Sequence, residues 1–145
     1  MRVDFYQLSR DPVEQVVPLL ARKALQAGQR LLVVSADGEQ RAGISRALWS
    51  EGGVHFLAHG EASEAHAARQ PILLSETCAA PNEARMVVLA DGVWREEASA
   101  FERAFLLFDA AATQAARDLW RGFRSRDTVE SHAWKQEDGG WIEVG

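Results

Sequence analysis

Apolar residues in this chain are grouped in short runs that are separated by segments with helical spacing. A run of apolar or β-branched residues that is bounded by turn-forming residues predicts a strand. Such runs occur at residues 3–6, 31–34, 54–57, 71–74, 85–90 and 104–108. The run at 31–34 is apolar at every position, which predicts a strand buried on both faces.

Three segments between or after these strands carry helical signals. Asp11 supplies an N-cap and Pro12 a first-turn proline for a helix that Gly28 ends. A second helix is predicted before the glycine pair at residues 52–53. A third helix is predicted to begin at Asp109, which caps it, and to extend to about residue 124.

The rest of the chain is predicted to form loops and one hairpin. Residues 59–70 have no bulky apolar side chain, so they predict a surface loop. Residues 128–135 and 141–144 flank an Asp-Gly-Gly turn and predict a terminal hairpin. Strands that alternate with helices predict a mostly parallel sheet with helices on both faces, because parallel neighbours need helical crossovers. We therefore expect one domain, residues 1–145, built as a three-layer α/β/α sandwich.

Composition places the chain among ordinary globular proteins. Its 145 residues are 47% hydrophobic and 26% charged. A formal net charge of −5 disfavours direct nucleic-acid binding as the main function. The single cysteine, Cys78, excludes an internal disulfide, and no signal segment opens the chain, so we expect a cytoplasmic protein. The apolar runs are far shorter than the roughly 20 residues that cross a membrane.

The sequence lacks the motifs that catalysis, metal binding or nucleotide binding would need. A nucleotide-binding α/β sandwich usually has a glycine-rich loop after its first strand, and residues 7–12 of this chain contain no glycine. Among the histidines only His55 and His59 are close in sequence, and Cys78 has no basic neighbour that would lower its pKa. We therefore predict no catalytic residue, no metal site and no cofactor.

The segment from residue 110 to residue 124 has two stripes of side chains with different chemistry. At about 100° per residue, an apolar stripe is expected to face the core; its members are Ala112, Ala116, Leu119 and Phe123. A polar stripe consists of Thr113, Arg117, Arg121 and Arg124, with Trp120 at the seam. A flat aromatic beside guanidinium groups suits a chain end that carries an apolar ring and a carboxylate. A solvated helix face with a boundary tryptophan is the alternative interpretation.

Several segments spread along the chain carry a resemblance to a known family. They lie at residues 3–6, 23–24, 28–33, 48–49, 56–60, 71–74, 101–103 and 116–124. In their order and spacing they resemble the chi subunit of bacterial DNA polymerase III. The resemblance implies an α/β sandwich that is related in shape to nucleotide-binding folds and has no activity of its own. It also implies two partners, the acidic, phenylalanine-ended C-terminal tail of single-stranded-DNA-binding protein and the psi subunit of the clamp loader or its equivalent.

The resemblance further implies which residues would bind the tail. Two apolar walls and three helix residues correspond by position: Phe56, Leu106, Arg117, Trp120 and Arg121. The chain departs from the family at Ala58, where relatives commonly have proline, and at Thr113, where some have lysine. Arg124 is expected to compensate for the missing lysine.

We therefore predict a non-catalytic docking subunit of the polymerase III holoenzyme that links the clamp loader to single-stranded-DNA-binding protein during replication. Two alternatives stay open. The first is a nucleotide-dependent enzyme on the same fold, and the second is a DNA-repair adaptor whose tail-binding face serves a helicase.

Overall fold

The strands of this protein are joined into one sheet that runs the width of the molecule. A computed structural model describes residues 1–9, 11–51, 57–137 and 140–144. The strands in these ranges are β1 Arg2–Gln7, β2 Leu31–Val34, β3 His59–Glu61, β4 Ile72–Ser75, β5 Met86–Leu89, β6 Arg103–Phe108, β7 Glu130–Glu137 and β8 Gly140–Glu143. The α-helices are α1 Val13–Gln26, α2 Gly38–Glu51 and α3 Thr113–Arg124. None of the described helices is long and apolar enough to span a membrane.

The order of the strands confirms the predicted fold class. The sheet runs β3-β4-β2-β5-β6-β1-β7-β8, and all neighbours are parallel except the antiparallel hairpin of β7 and β8. β1 lies between β6 and β7, so the beginning of the chain pairs with its last third. The hairpin therefore extends the parallel sheet instead of packing on it.

Side chains of the strands alternate between two buried layers. On one face, Phe5 packs with Phe123 of α3. On the other face, Tyr6 and Phe105 pack with Val17 of α1, and α2 covers the same layer. Helices on both faces make the three-layer sandwich that the alternating pattern predicted.

Two local predictions were wrong. Asp11 does not cap α1, because its Oδ2 accepts a hydrogen bond from Nε2 of Gln136 at 2.8 Å and Pro12 occupies the N-cap position. The predicted loop at 59–70 contains β3 and a 3₁₀ turn, Ala67–Arg69. β3 is a short edge strand held by backbone pairing to β4, so it needs no bulky apolar residue. Most of the strand predicted at 54–57 lies outside the described residues, and Leu57 precedes β3.

His132 of the terminal hairpin lies between two carboxylates, one on each strand of the hairpin. Its Nδ1 is 2.8 Å from Oε1 of Glu143 on β8, and its Nε2 is 2.8 Å from Oε1 of Glu130 on β7. The hydrogen bond with Glu143, and then the one with Glu130, raise the pKa of His132 above its ordinary value. Both contacts are strongest when the ring is protonated, because both ring nitrogens are then donors.

Replacing His132 by glutamine is expected to lower stability mainly at acidic pH. A group whose pKa is raised by folding contributes fully below its unfolded pKa, and the contribution is lost as the pH rises through the folded pKa. The difference in Tm between parent and variant should therefore be largest near about pH 5 and shrink towards about pH 9. Thermal unfolding followed by circular dichroism over this range measures it. A difference that does not change with pH would contradict the assignment.

Candidate functional site

The predicted cap residue, Asp109, caps a 3₁₀ turn, Ala110–Ala112, that precedes helix α3, whereas the N-cap of α3 itself is Ala112 and makes no side-chain hydrogen bond. The Asp109 side chain accepts hydrogen bonds from the backbone N–H groups of Ala111 and Ala112, which form a 3₁₀ turn that leads directly into the helix. Ala116 and Phe123 are buried against the sheet. The predicted apolar stripe is confirmed, and the basic stripe consequently faces away from the core.

Trp120 lies at the seam of α3 and is held by the first strand. Its ring meets the ring of Phe5 edge to face, with centroids 5.3 Å apart and an interplanar angle of 84°. From the solvent side, the guanidinium of Arg124 lies 5.5 Å from the centroid of Trp120, within the range of a cation–π contact. Trp120 is half-buried. Its position is therefore fixed while part of its ring stays accessible to a ligand.

Three arginines form the basic stripe on α3, which we call the arginine face: Arg117, Arg121 and Arg124. All are exposed. Arg121 Nη1 lies 3.5 Å from Oδ1 of Asp118, and both side chains are largely open to solvent. An exposed ion pair of this kind contributes about 0–1 kcal/mol, so a carboxylate ligand can replace Asp118 at little cost. The last-turn arginines also complement the partial negative charge at the C-terminus of the helix.

Neither of the two predicted apolar walls, Phe56 and Leu106, is seen on the surface beside Trp120. Leu106 pairs with Phe5 in the sheet and is only 1% exposed, so it lies beneath α3 and offers no surface to a ligand. Phe56 lies outside the described residues. The structure thus brings Trp120 and the arginine face together on one helix, with Leu106 as support below.

Two aromatic residues near α3 were not predicted from the sequence. Phe5 is a core residue whose role in holding Trp120 depends on the pairing of β1 with β6. Trp94 meets Phe123 edge to face at 4.9 Å, and its Nε1 donates a hydrogen bond to Glu96. Val93 beside it is exposed. The sequence signal that could have indicated this surface is the apolar pair Val93-Trp94, which directly follows the Asp91-Gly92 turn.

The crevice where α/β sheets usually bind nucleotides is filled by the chain itself. Such crevices form between strands whose connections leave in opposite directions. Here β2 leads through α2 to β3, and β5 leads to β6 on the other side. Asp91, directly after β5, accepts a hydrogen bond from Ala36 N at 3.0 Å and pairs with Arg95 through contacts of 2.8 and 2.9 Å. A carboxylate and its own arginine occupy this crevice.

The charge of Asp91 is maintained despite its burial. Burial alone would raise the pKa of Asp91, but hydrogen bonds from Arg95 and from the Ala36 N–H outweigh burial and lower that pKa. Asp91 and Arg95 therefore form an ion pair whose hydrogen-bonding groups are directed at each other and at the Ala36 N–H.

Two residues with potential reactivity, Cys78 and His59, are engaged in structural contacts. Burial raises the pKa of the Cys78 thiol, which disfavours the nucleophilic thiolate. His59, on β3, has its Nδ1 3.0 Å from the Leu57 carbonyl oxygen and its Nε2 2.8 Å from Ser45 Oγ. Within the described ranges, no group of three His, Cys, Asp or Glu side chains could hold a metal ion. His55 lies outside those ranges.

Comparison with known families gives a match over most of the chain. A family model described as DNA polymerase III chi subunit, HolC, matches residues 1–130. The matched range includes β1 to β6 and all of α3, and it ends at the first residue of β7. None of the curated proteins matches this sequence.

Proposed function

This chain belongs to the DNA polymerase III chi subunit family, and we propose that it is a non-catalytic subunit that docks the acidic C-terminal tail of single-stranded-DNA-binding protein and links it to the clamp loader. Membership of this family gives it an accessory role in DNA replication. The observation that carries the proposal is the juxtaposition of Trp120, held by Phe5, with the arginine face on α3.

The chemistry of the tail matches this juxtaposition. Its terminal carboxylate pairs with Arg117 or Arg121, since arginine can bind a carboxylate through two parallel hydrogen bonds. Its phenyl ring lies against the accessible part of Trp120, and its upstream acids lie over the remaining arginines. Because Phe5 and Arg124 already fix the indole of Trp120, little ordering is required when the tail binds.

The distribution of charge favours an acidic partner at this face. The whole chain is negative, with a formal net charge of −5. The arginine face is a local exception, which is balanced on α3 only by Asp118. Local attraction then orients an acidic tail towards α3, while the net negative charge of the remaining surface repels the tail from other positions.

The filled crevice beside Asp91 supports a non-catalytic role. A nucleotide-dependent enzyme on this fold would need the crevice between β2 and β5 for its phosphates. The Asp91 carboxylate takes the Ala36 N–H and the Arg95 guanidinium as its own partners. This arrangement makes the docking function preferable to the enzymatic alternative.

Replacing either Trp120 or Arg121 by alanine is expected to weaken binding of a synthetic tail peptide by roughly tenfold or more. Trp120→Ala removes an apolar contact, so the dependence of affinity on salt should change little. Arg121→Ala removes a charge that salt screens, so that dependence should flatten. Fluorescence anisotropy of the labelled peptide at several salt concentrations measures both effects.

Arg46→Ala is the matched control, because Arg46 is exposed on α2 at the opposite face of the sheet. It should bind the tail as the parent does. A peptide without its terminal phenylalanine should bind the parent weakly. The proposal fails if Trp120→Ala and Arg121→Ala both stay folded and bind the complete peptide with the affinity of the parent.

A further inference from the structure

The face of the sheet opposite α3 has a cleft that no described helix fills. The cleft has a volume of about 880 Å³ and lies between α1 and the hairpin of β7 and β8. Its floor comes from Tyr6 of β1 and Phe105 of β6. These residues belong to the core layer of α1 and α2, whereas Phe5 and Phe123 belong to the layer of α3. This α1 cleft is therefore separate from the arginine face.

Aromatic rings line the α1 cleft and remain partly accessible. Tyr6 stacks with Trp134 at 6.3 Å and 17°, and it meets Trp141 edge to face at 4.9 Å. Both tryptophans are half-buried. Leu19 of α1, at the rim, is 44% exposed. Apolar side chains from two opposed elements thus converge on a concave surface, which is typical of grooves that receive an amphipathic helix.

The length of the α1 cleft fits about three turns of helix. Its lining on α1 extends from Val16 to Ala27. With a rise of about 1.5 Å per residue, this span is roughly 16 Å. A segment of similar length laid beside α1 would cover the aromatic surface from end to end.

The charges around the α1 cleft are separated along its length. Asp11, after β1, and Glu137, at the end of β7, lie at the carboxyl-terminal edge of the sheet. Lys23, near the end of α1, and Arg103, the first residue of β6, lie at the opposite edge. Arg103 is anchored there, since its Nε donates to Asp4 at 2.7 Å and its guanidinium lies over the ring of Phe105. Among the described lining residues, the acidic side chains lie at one end of the cleft and the basic side chains at the other.

We propose that the α1 cleft docks an amphipathic helix of a partner protein, about three turns long and parallel to α1. Its apolar face packs on Leu19, Trp134 and Trp141. Basic residues in its first turn meet Asp11 and Glu137, and acidic residues in its last turn meet Lys23 and Arg103. The partial charges of the helix itself favour the same direction, with the positive N-terminus at the acidic end. This site is a second docking surface, and it does not depend on tail binding at α3.

The test uses two helical peptides of about 11 residues, which is three turns, each stapled to hold the helix, with leucines at helical spacing on one face. The lysine-first peptide has lysines in its first turn and glutamates in its last turn, and the glutamate-first peptide has these charges exchanged. The lysine-first peptide should bind the full-length protein about tenfold more tightly or better, as measured by isothermal titration calorimetry. Lys23→Glu should reduce this preference.

Leu19→Gln should weaken binding of the lysine-first peptide by about tenfold, because the exposed leucine supplies apolar contact at the rim. Ile142→Gln is the matched control. Ile142 is 48% exposed on the same hairpin, and as the neighbour of Trp141 it points to the other face of the sheet. It should bind as the parent does. Tail binding at α3 should be unchanged in Leu19→Gln, which separates the two proposals.

Three outcomes would overturn the α1 cleft as a helix-docking site. The first is equal binding of the two peptides. The second is a folded Leu19→Gln variant that binds the lysine-first peptide with the affinity of the parent. The third is a parent protein that sediments as a dimer and becomes monomeric in Leu19→Gln, since the cleft would then be covered by a second copy of the chain.

Discussion

Replacing Asp4 by alanine is expected to lower the free energy of unfolding by about 3 kcal/mol, one of the two largest effects that the structure predicts. Asp4 is 0% exposed, and its carboxylate accepts hydrogen bonds from Arg2 Nη2 at 3.0 Å, Arg103 Nε at 2.7 Å and Trp134 Nε1 at 3.0 Å. These donors stand on β1, β6 and β7, so a single carboxylate joins three adjacent strands.

The magnitude follows from what alanine leaves behind. Removing one partner of a buried ion pair typically costs about 3–5 kcal/mol, because the remaining charge is desolvated without compensation. Arg2 and Arg103 are each a third exposed and recover some hydration, which places the cost near the lower end. Urea unfolding of parent and variant measures it. Asp4→Asn, which keeps the shape and one acceptor, should lie between them.

The contribution of Asp4 should also depend on pH. Burial by itself would raise the pKa of Asp4, but the hydrogen bonds from Arg2, Arg103 and Trp134 outweigh burial and lower that pKa. A carboxyl group whose pKa is lowered by folding contributes stability above its unfolded pKa and loses it as the pH falls through the folded pKa. The difference between parent and Asp4→Ala should therefore narrow in acid. A cost well below 1 kcal/mol at neutral pH would contradict the network.

Replacing Phe5 by alanine is expected to have the second large effect, because it should lower both the stability of the protein and its affinity for the tail. Phe5 is 2% exposed and touches both Trp120 and Phe123 through edge-to-face contacts. Truncation of a buried phenylalanine typically costs about 3–5 kcal/mol. The indole of Trp120 then loses its support from the sheet, so affinity for the tail peptide should fall together with stability.

Val3→Ala separates these two consequences. Val3 is buried on the same face of β1 and lies in the same core layer, so its truncation leaves a cavity there without removing a ring contact to Trp120. At a temperature where both variants are folded, Phe5→Ala should bind the tail peptide several-fold more weakly than Val3→Ala. Equal affinities would show that Phe5 contributes to stability alone and does not position Trp120.

The elements with strong local patterns could be predicted from the sequence. The apolar run at 31–34 forms β2, and the spacing of Ala116 and Phe123 placed the correct stripe of α3 against the sheet. These predictions succeed because a strand buried on both faces is apolar at every position and a helix buried on one face is apolar with a period of 3.6, whichever elements lie opposite. The cap at Asp109 is equally local, since its acceptor and donors are two and three residues apart.

Contacts between distant parts of the chain were decided only by the tertiary structure. Asp11 has the sequence context of a helix cap, yet it bonds to Gln136, which is brought near because β7 pairs with β1. The same pairing places Trp134 beside Asp4, and the pairing of β1 with β6 places Phe5 beside Leu106 in the sheet, where it contacts Trp120. A local pattern does not indicate which strands will be neighbours, because the order of the strands depends on how all strands and helices together bury their apolar side chains. The arginine face was therefore visible in the sequence, whereas the support that holds Trp120 in place, and the cleft beside α1, were not.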